Sequence, residues 1–414
     1  MHLLRLLALS LFLSFSAALF AQEESPQAPP VQEDSIQKKM RKFDILPALS
    51  YAPETGFTMG VIGFYYLDLA RQDPTNHISN ISFLAVYTTR NQILLETEWE
   101  LFTQKDDWRF RGELYFNKYP DRNYGAGNQA SVLVIESEED GNRDTVNFLQ
   151  FDSNRYRFSP VALRRVYKNL YAGLQAEVEI LNRYQPIPEN FEYLTADSTN
   201  IINLPVEGFR AGLGIQLLYD NRDNVMNPMR GWLAEAGSLH FGKGLGSEFT
   251  YHSFLLDIRK YINPVSNHTL ALRAVLNHRD SPNPNGIPLR GLSRVGGKDF
   301  IRGYFKGTFQ EKMLSAFEIE YRLPFWREDA DSKLWQIWKR LGIVAFVGGA
   351  QVQENWSDWR FSEFNLAAGG GLRVLFNKES RLNIRIDYAF GLAPNSNGLG
   401  KRQSGLYFFL AEAF

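Results

Sequence analysis

The sequence predicts an all-β protein, a transmembrane antiparallel β-barrel of sixteen strands, and three observations predict it. Segments of about ten residues alternate apolar with polar from Phe43 to the last residue. Beyond the first 21 residues, no stretch approaches the roughly 18 consecutive apolar residues that mark a membrane helix. Aromatic residues make up 14% of the 414, with 31 Phe and 19 Tyr. That supply suits a wall whose outer face meets lipid and its interfaces.

The chain divides into three parts. Residues 1–21 read as an export signal: Arg5 supplies the positive end, Leu6 to Phe20 the apolar core, and small residues surround Ala18 and Ala21. The apolar run is short for a bilayer-spanning helix, which needs about 20 residues. Residues 22–42 read as a polar periplasmic linker. They hold Pro26, Pro29 and Pro30 and the basic run Lys38, Lys39, Arg41 and Lys42, and cannot bury a core. Residues 43–414 are expected to form the barrel.

Within that part, sixteen segments begin near residues 43, 56, 78, 91, 107, 155, 169, 206, 230, 248, 266, 312, 338, 364, 380 and 404. In Ile93 to Leu101, Ile93, Leu95, Thr97, Trp99 and Leu101 share one face and Glu96, Glu98 and Glu100 the other. In Trp108 to Asn117, Trp108, Phe110, Leu114 and Phe116 oppose Arg109, Arg111, Glu113 and Asn117. Phe317, Ile319, Tyr321 and Leu323 oppose Glu318, Glu320 and Arg322. Leu382, Ile384, Ile386, Tyr388 and Phe390 oppose Arg381, Asn383, Arg385 and Asp387. Period two gives one apolar and one polar face. A soluble sandwich would turn the apolar face to a core, whereas a membrane barrel turns it to lipid and fills the lumen with charge. Number and length favour the barrel, and an even count suits a closed antiparallel wall. Short links at Lys168–Asn169 and Asn263 to Asn267 alternate with long ones at Tyr119 to Asn154, Asn182 to Pro205 and His278 to Glu311. Short inner turns and long outer loops fit a bacterial barrel.

Several functions are excluded or left without support. A formal net charge of −1 removes a bulk electrostatic case for nucleic acid. With no cysteine, no disulfide or thiolate metal site can form. No Gly-x-Ser-x-Gly elbow is present. His77, His240, His252, His268 and His278 show no metal-ligand spacing along the chain, and His252 and Ser253, as strand neighbours, face opposite ways. No catalytic residue, metal ligand or cofactor site is therefore assigned.

One loop carries more information. It reads Gly291-Leu292-Ser293-Arg294-Val295-Gly296-Gly297-Lys298-Asp299-Phe300-Ile301-Arg302-Gly303-Tyr304, between the eleventh and twelfth segments. Gly296 and Gly297, a spacer, then Ile301, Arg302, Gly303 and Tyr304 resemble the loop-six motif of the BamA/TamA superfamily, the bacterial surface antigen family of outer-membrane barrels. The resemblance implies a long loop folded into the lumen, with Arg302 pairing to acidic residues of the inner wall. Glu320, four residues before Pro324, and Glu318 are the candidates. Fixing an Arg from a flexible loop costs entropy, so a charge-assisted partner is needed. The family usually adds an acidic residue one strand later, in a Phe-x-Asp-x-Gly context; here Phe346-Val347-Gly348 puts glycine at that position. A second resemblance is Asp220, Arg222 and Asp223 before Pro228 and Gly231, a turn that Asn and Asp side chains can brace locally. The closing Phe408 and Phe414 resemble a C-terminal sorting signal.

The likeness covers residue 43 to the end, with one departure. Most members carry POTRA domains ahead of the barrel, and residues 22–42 are too few for one, since a domain takes about 50 residues or more. The resemblance implies an outer-membrane barrel that assists insertion or translocation of proteins or lipids, as an accessory part of a larger assembly. Its expected partners are outer-membrane lipid, other assembly subunits and client barrels. The mechanism would use a weakly paired seam between Phe43 to Ala52 and Gly405 to Phe414, where Pro47 removes a ladder donor. A passive pore is the alternative, and an outer-membrane enzyme a third.

Overall fold

The computed structural model describes residues 43–52, 56–67, 69, 77–89, 91–118, 121–128, 133–137, 143–146, 149–187, 191–193, 205–265, 267–283, 285–297, 300–324, 340–378, 380–393, 402–410 and 412–414. The expected signal (1–21) and linker (22–42) lie outside them. Sixteen long strands make the wall: β1 (Phe43–Ala52), β2 (Gly56–Leu67), β3 (Ser79–Thr88), β4 (Ile93–Phe102), β5 (Trp108–Lys118), β6 (Leu149–Tyr167), β7 (Leu170–Ile187), β8 (Gly208–Asp220), β9 (Gly231–Phe241), β10 (Tyr251–Ile262), β11 (Thr269–Asp280), β12 (Met313–Pro324), β13 (Leu341–Gln353), β14 (Asn365–Asn377), β15 (Leu382–Gly391) and β16 (Ser404–Leu410). Each pairs antiparallel with the next, from β1 to β16. Among the described residues, no ladder joins β16 back to β1.

The faces are sorted as a membrane requires. On β8, Leu213, Ile215 and Leu217 are 50%, 62% and 49% exposed, while Arg210 and Gln216, on the alternate positions, are buried. A soluble protein would reverse this. An Arg on the lipid side would cost about 2–4 kcal/mol at mid-membrane; inside, the charges meet each other. Arg210 Nη2 lies 2.8 Å from Glu177 Oε1 and 3.0 Å from Glu179 Oε2. Arg157 reaches Glu113 at 2.7 Å and Glu177 at 2.9 Å, and Arg273 reaches Asp257 at 2.8 Å. Both signs meet in these pairs across neighbouring strands of the inner wall.

Consecutive links fall at opposite ends of the barrel. The loop end carries the links that follow β5, β7 and β11, and the other end holds turns as short as 168–169. β6 and β7, 19 and 18 residues long, reach well past a hydrocarbon core of about 30 Å even when tilted by about 45°. Near the loop end Phe191–Tyr193, Leu133–Ser137 and Arg143–Val146 form a separate three-stranded sheet.

The expected last strand, Gly405 to Phe414, needs correction. It stops at Leu410. Residues 412–414 leave the wall and enter the lumen, where Phe414 packs with Ala413 on Tyr261 of β10 and Ala271 of β11. The physical reason is polar: Glu412 follows the guanidiniums inward, its Oε2 2.7 Å from Arg373 Nε and its Oε1 accepting from Asn383 Nδ2 at 2.7 Å. Phe408 stays on the wall, partly exposed on the outer face.

Candidate functional site: the lumenal loop and its clasp

Residues 281–312 leave β11 and fold back against the inner wall. Their middle is a two-stranded ribbon, Ser293–Val295 against Phe309–Glu311. Glycines turn the ribbon's tip. Gly296 and Gly303 sit at φ 102° and 111°, where a side chain is strained. A Cβ at Gly303 would lie 2.7 Å from the Phe390 backbone, so the loop touches β15 through bare main chain. Gly303→Ala should therefore push the tip off the wall at a cost of about 1–3 kcal/mol, seen as faster proteolytic cleavage within 281–312.

Ile301 is the strained residue of the tip. It is β-branched, with φ 51°, a conformation that persists only where surroundings over-determine it. Two contacts do so. Its N–H donates to Glu318 Oε1 at 3.0 Å, and its side chain is buried among Val295, Tyr304, Phe309, Leu314, Ala350 and Val352. Gly348 makes this fit. A Cβ there would stand 3.1 Å from Ile301 Cδ1 and 3.0 Å from Glu318 Cγ. At the position where the resemblance would put a second acidic residue, the glycine leaves room for Ile301.

Arg302 is fully buried and held on three sides. Nη2 donates to Glu320 Oε2, and Nη1 donates to Asp387 Oδ2 on β15 at 2.5 Å. The guanidinium lies 3.6 Å above the Phe346 ring. Glu318 makes no direct bond to Arg302: its Oε1 accepts the Ile301 amide and its Oε2 lies 3.5 Å from Arg273 Nη1. Each clasp carboxylate has a further cation: Arg322 Nε lies 2.7 Å from Glu320 Oε1, and Arg373 Nη1 2.5 Å from Asp387 Oδ1.

The rest of the tip is fastened to β14, to β16 and to the residue just before β16. Gly303 N–H donates to Tyr407 Oη at 3.0 Å, Tyr304 Oη donates to Leu366 O at 2.6 Å, and Phe305 N–H donates to Gln403 Oε1 at 2.8 Å. On the opposite side, Gln310 Nε2 donates to Asn123 Oδ1 at 2.8 Å.

The turn motif at the other end does more than join two strands. Arg222 grips Asp220 through Nε at 2.8 Å and Nη2 at 2.9 Å, and Arg109 of β5 reaches the same carboxylate at 2.8 Å. Asp223 accepts the Met229 and Arg230 amides at 2.9 and 3.1 Å and meets Arg381, in the β14–β15 turn, at 2.6 Å. Pro228 O accepts from Arg322 at 3.4 Å. Gly231, at φ 108°, clears Asn221 O, which a Cβ would meet at 2.4 Å. Residues 221–230 thus cross beneath the lumen and brace strands that are far apart in the wall.

Beside this base, inside the wall, lies a chamber of about 750 Å³. Glu96, Glu98 and Glu113 on its β4–β5 side bring carboxylate oxygens within 4.8 Å of one another. Arg157 at 2.7 Å from Glu113 and Arg111 on the same wall offset them. Val225, Met226 and Ala413 also line it. The pairing of Arg302 with Asp387 escaped the sequence reading because the second carboxylate comes from β15 rather than β13. Asp387 stood in the polar stripe of its segment, and that was the available signal.

A family model described as the Omp85 superfamily domain matches residues 80–414. Among solved structures, the chain is similar to BamA from Haemophilus ducreyi lacking POTRA domains 1–3 (14% identity, TM-score 0.53, covering 90% of this chain and 70% of that one). It is also similar to CdiB from Acinetobacter baumannii (13%, TM-score 0.50, 90% and 60%) and CdiB from Escherichia coli (9%, TM-score 0.54, 89% and 62%). At these identities the likeness concerns the fold. The chain spans less than two thirds of either CdiB chain. No curated protein matches it.

Proposed function

We propose, because the chain belongs to the Omp85 superfamily, that it is an outer-membrane barrel that assists insertion or translocation of polypeptides as an accessory part of a larger assembly. Export by a signal at residues 1–21 belongs to the same proposal. The observation that carries it is the seam. Every neighbouring pair from β1 to β16 shares a ladder, and among the described residues β1 and β16 do not. Unpaired strand edges offer backbone donors and acceptors to an incoming strand. Pro47 lies in the middle of β1 opposite Val61 of β2 and has no N–H to give. β16 is the shortest wall strand, at 7 residues.

A photo-crosslinking residue at Ile45 or Leu406, both exposed on the outer face, should capture newly exported chains in growing cells. The same residue at Leu217 of β8 should capture none. Equal capture at the three positions would defeat the proposal. The chamber favours a second reading, a passive pore. The ribbon above and residues 221–230 below argue against a wide path, so planar bilayers should show little steady current until 285–307 are deleted. A large steady current from the intact chain would favour the pore.

A further inference from the structure

Three of the protein's histidines, scattered along the chain, share one patch of the outer face. β9 and β10 place His240 directly opposite His252. β10 and β11 place His252 directly opposite Asp280. The three residues form one row across three strands, at the end from which residues 281–312 leave the wall. Their chain neighbours Leu239, Ser253 and Arg279 line the chamber, and alternate side chains of a strand point to opposite faces. His240, His252 and Asp280 therefore point outward, and all three are exposed. His278, two residues before Asp280, shares that face, its ring 5.9 Å from Trp356.

His240 Nδ1 and His252 Nε2 are 3.2 Å apart, with ring centroids 4.4 Å apart. Two imidazole nitrogens that each bind one ion at about 2.0–2.1 Å, at a tetrahedral angle, stand roughly 3.3 Å apart. The pair already has that spacing. The backbone ladder sets it, since directly opposed strand residues hold their Cβ atoms about 4.5–5.5 Å apart. At this distance the rings share a hydrogen bond, so an ion would displace the shared proton and turn both lone pairs toward one point. Imidazole ligands select zinc, copper or nickel over the hard cations that carboxylate clusters take.

We propose that His240 and His252 form a surface site for a divalent transition-metal ion at the outer rim. Asp280, directly opposite His252, holds no oxygen within 4.8 Å of both nitrogens, so it would join as third ligand only by turning its side chain, and water would fill the remaining positions. A bound ion would tie β9 to β10 where the wall ends and the loops begin, and would stabilise the folded barrel by mass action. Sequence spacing hides the site because the two ligands are twelve residues apart and only the register of a hairpin brings them together.

The test uses the full chain without a histidine tag, refolded in detergent micelles. Zinc titrated by calorimetry should bind with one site per chain, and copper(II) should show a two-nitrogen ligand set by electron paramagnetic resonance. Losing a mere orienting partner weakens metal sites about 10- to 100-fold, so His240→Ala or His252→Ala should each cost at least about tenfold in affinity. Asp280→Asn should cost less, and His268→Ala, at the opposite end of β11 from Asp280, nothing. His240→Gln keeps the surface polar and should give the same loss where the alanine variant folds poorly. Unchanged zinc affinity in either histidine variant, or a copper signal with one nitrogen, would overturn the site.

Discussion

Glu320→Gln is expected to destabilise the barrel more than Arg302→Ala, although both remove one half of the same ion pair. The reason lies in the neighbours. Four guanidiniums, Arg302, Arg322, Arg373 and Arg385, surround three carboxylates, Glu320, Asp387 and Glu412. Deleting Arg302 leaves three of each sign, and both carboxylates it served keep another cation: Arg322 for Glu320 and Arg373 for Asp387. Neutralising Glu320 leaves four cations against two anions, with Arg302 and Arg322 each losing a partner at sites that are almost fully buried. Breaking a buried pair costs about 3–5 kcal/mol. Arg302→Ala should fall near the low end and Glu320→Gln at or above the high end. Gln keeps the size and an acceptor, so the substitution isolates charge. Denaturant unfolding of the refolded barrel would rank them. The double variant should lose less than the sum, because the removed groups touch; strict additivity would contradict the clasp. In cells, Arg302→Ala should expose 281–312 to protease while export continues.

The wall was legible because a barrel repeats one simple rule. Alternation such as Glu96, Glu98 and Glu100 against Ile93, Leu95 and Leu101 fixes both the strand and the side facing the lumen. Sixteen segments followed from that rule, and sixteen long strands make the wall. Their boundaries were less sharp: β6 begins at Leu149, several residues ahead of the expected start, because a strand that leaves the membrane no longer needs an apolar face. What the rule cannot give is which strands meet across the lumen. Arg302 was legible as a loop Arg in need of carboxylates. That one of them is Asp387 depends on the curvature of the wall and on Gly348 yielding space to Ile301. The contact of Asp223 with Arg381, 158 positions apart, is hidden for the same reason, and so is the His240–His252 row. The tail failed differently. Leu406 to Phe414 looks like one continuous apolar strand, yet Glu412 within it finds two buried cations and draws the end inward.

That inward turn makes Phe414→Ala a decisive substitution. If the terminal Phe served only as a sorting signal, its loss would slow assembly in cells and leave a folded barrel as stable as before. In the structure Phe414 is 5% exposed and packs on Tyr261 and Ala271. Its carbonyl accepts from Arg322 Nη2 at 2.8 Å, and the Arg273 and Arg322 guanidiniums each lie 5.8 Å from its ring. Truncating a buried Phe to Ala costs about 3–5 kcal/mol, and the barrel should lose that much in unfolding measurements made after refolding, with no cell involved. Acid should act on the same anchor. Burial alone would raise the Glu412 carboxyl, but Arg373 and Arg322 outweigh it and hold the group below the usual carboxylate range. A depressed carboxyl contributes stability that is present above its unfolded pKa and is lost as pH falls through the folded value. Lowering pH from 7 toward and below the ordinary carboxylate range should thus loosen the tail, and Glu412→Gln should remove part of that dependence. A Phe414→Ala barrel as stable as the parent would mean that the tail rests in the lumen without holding it together.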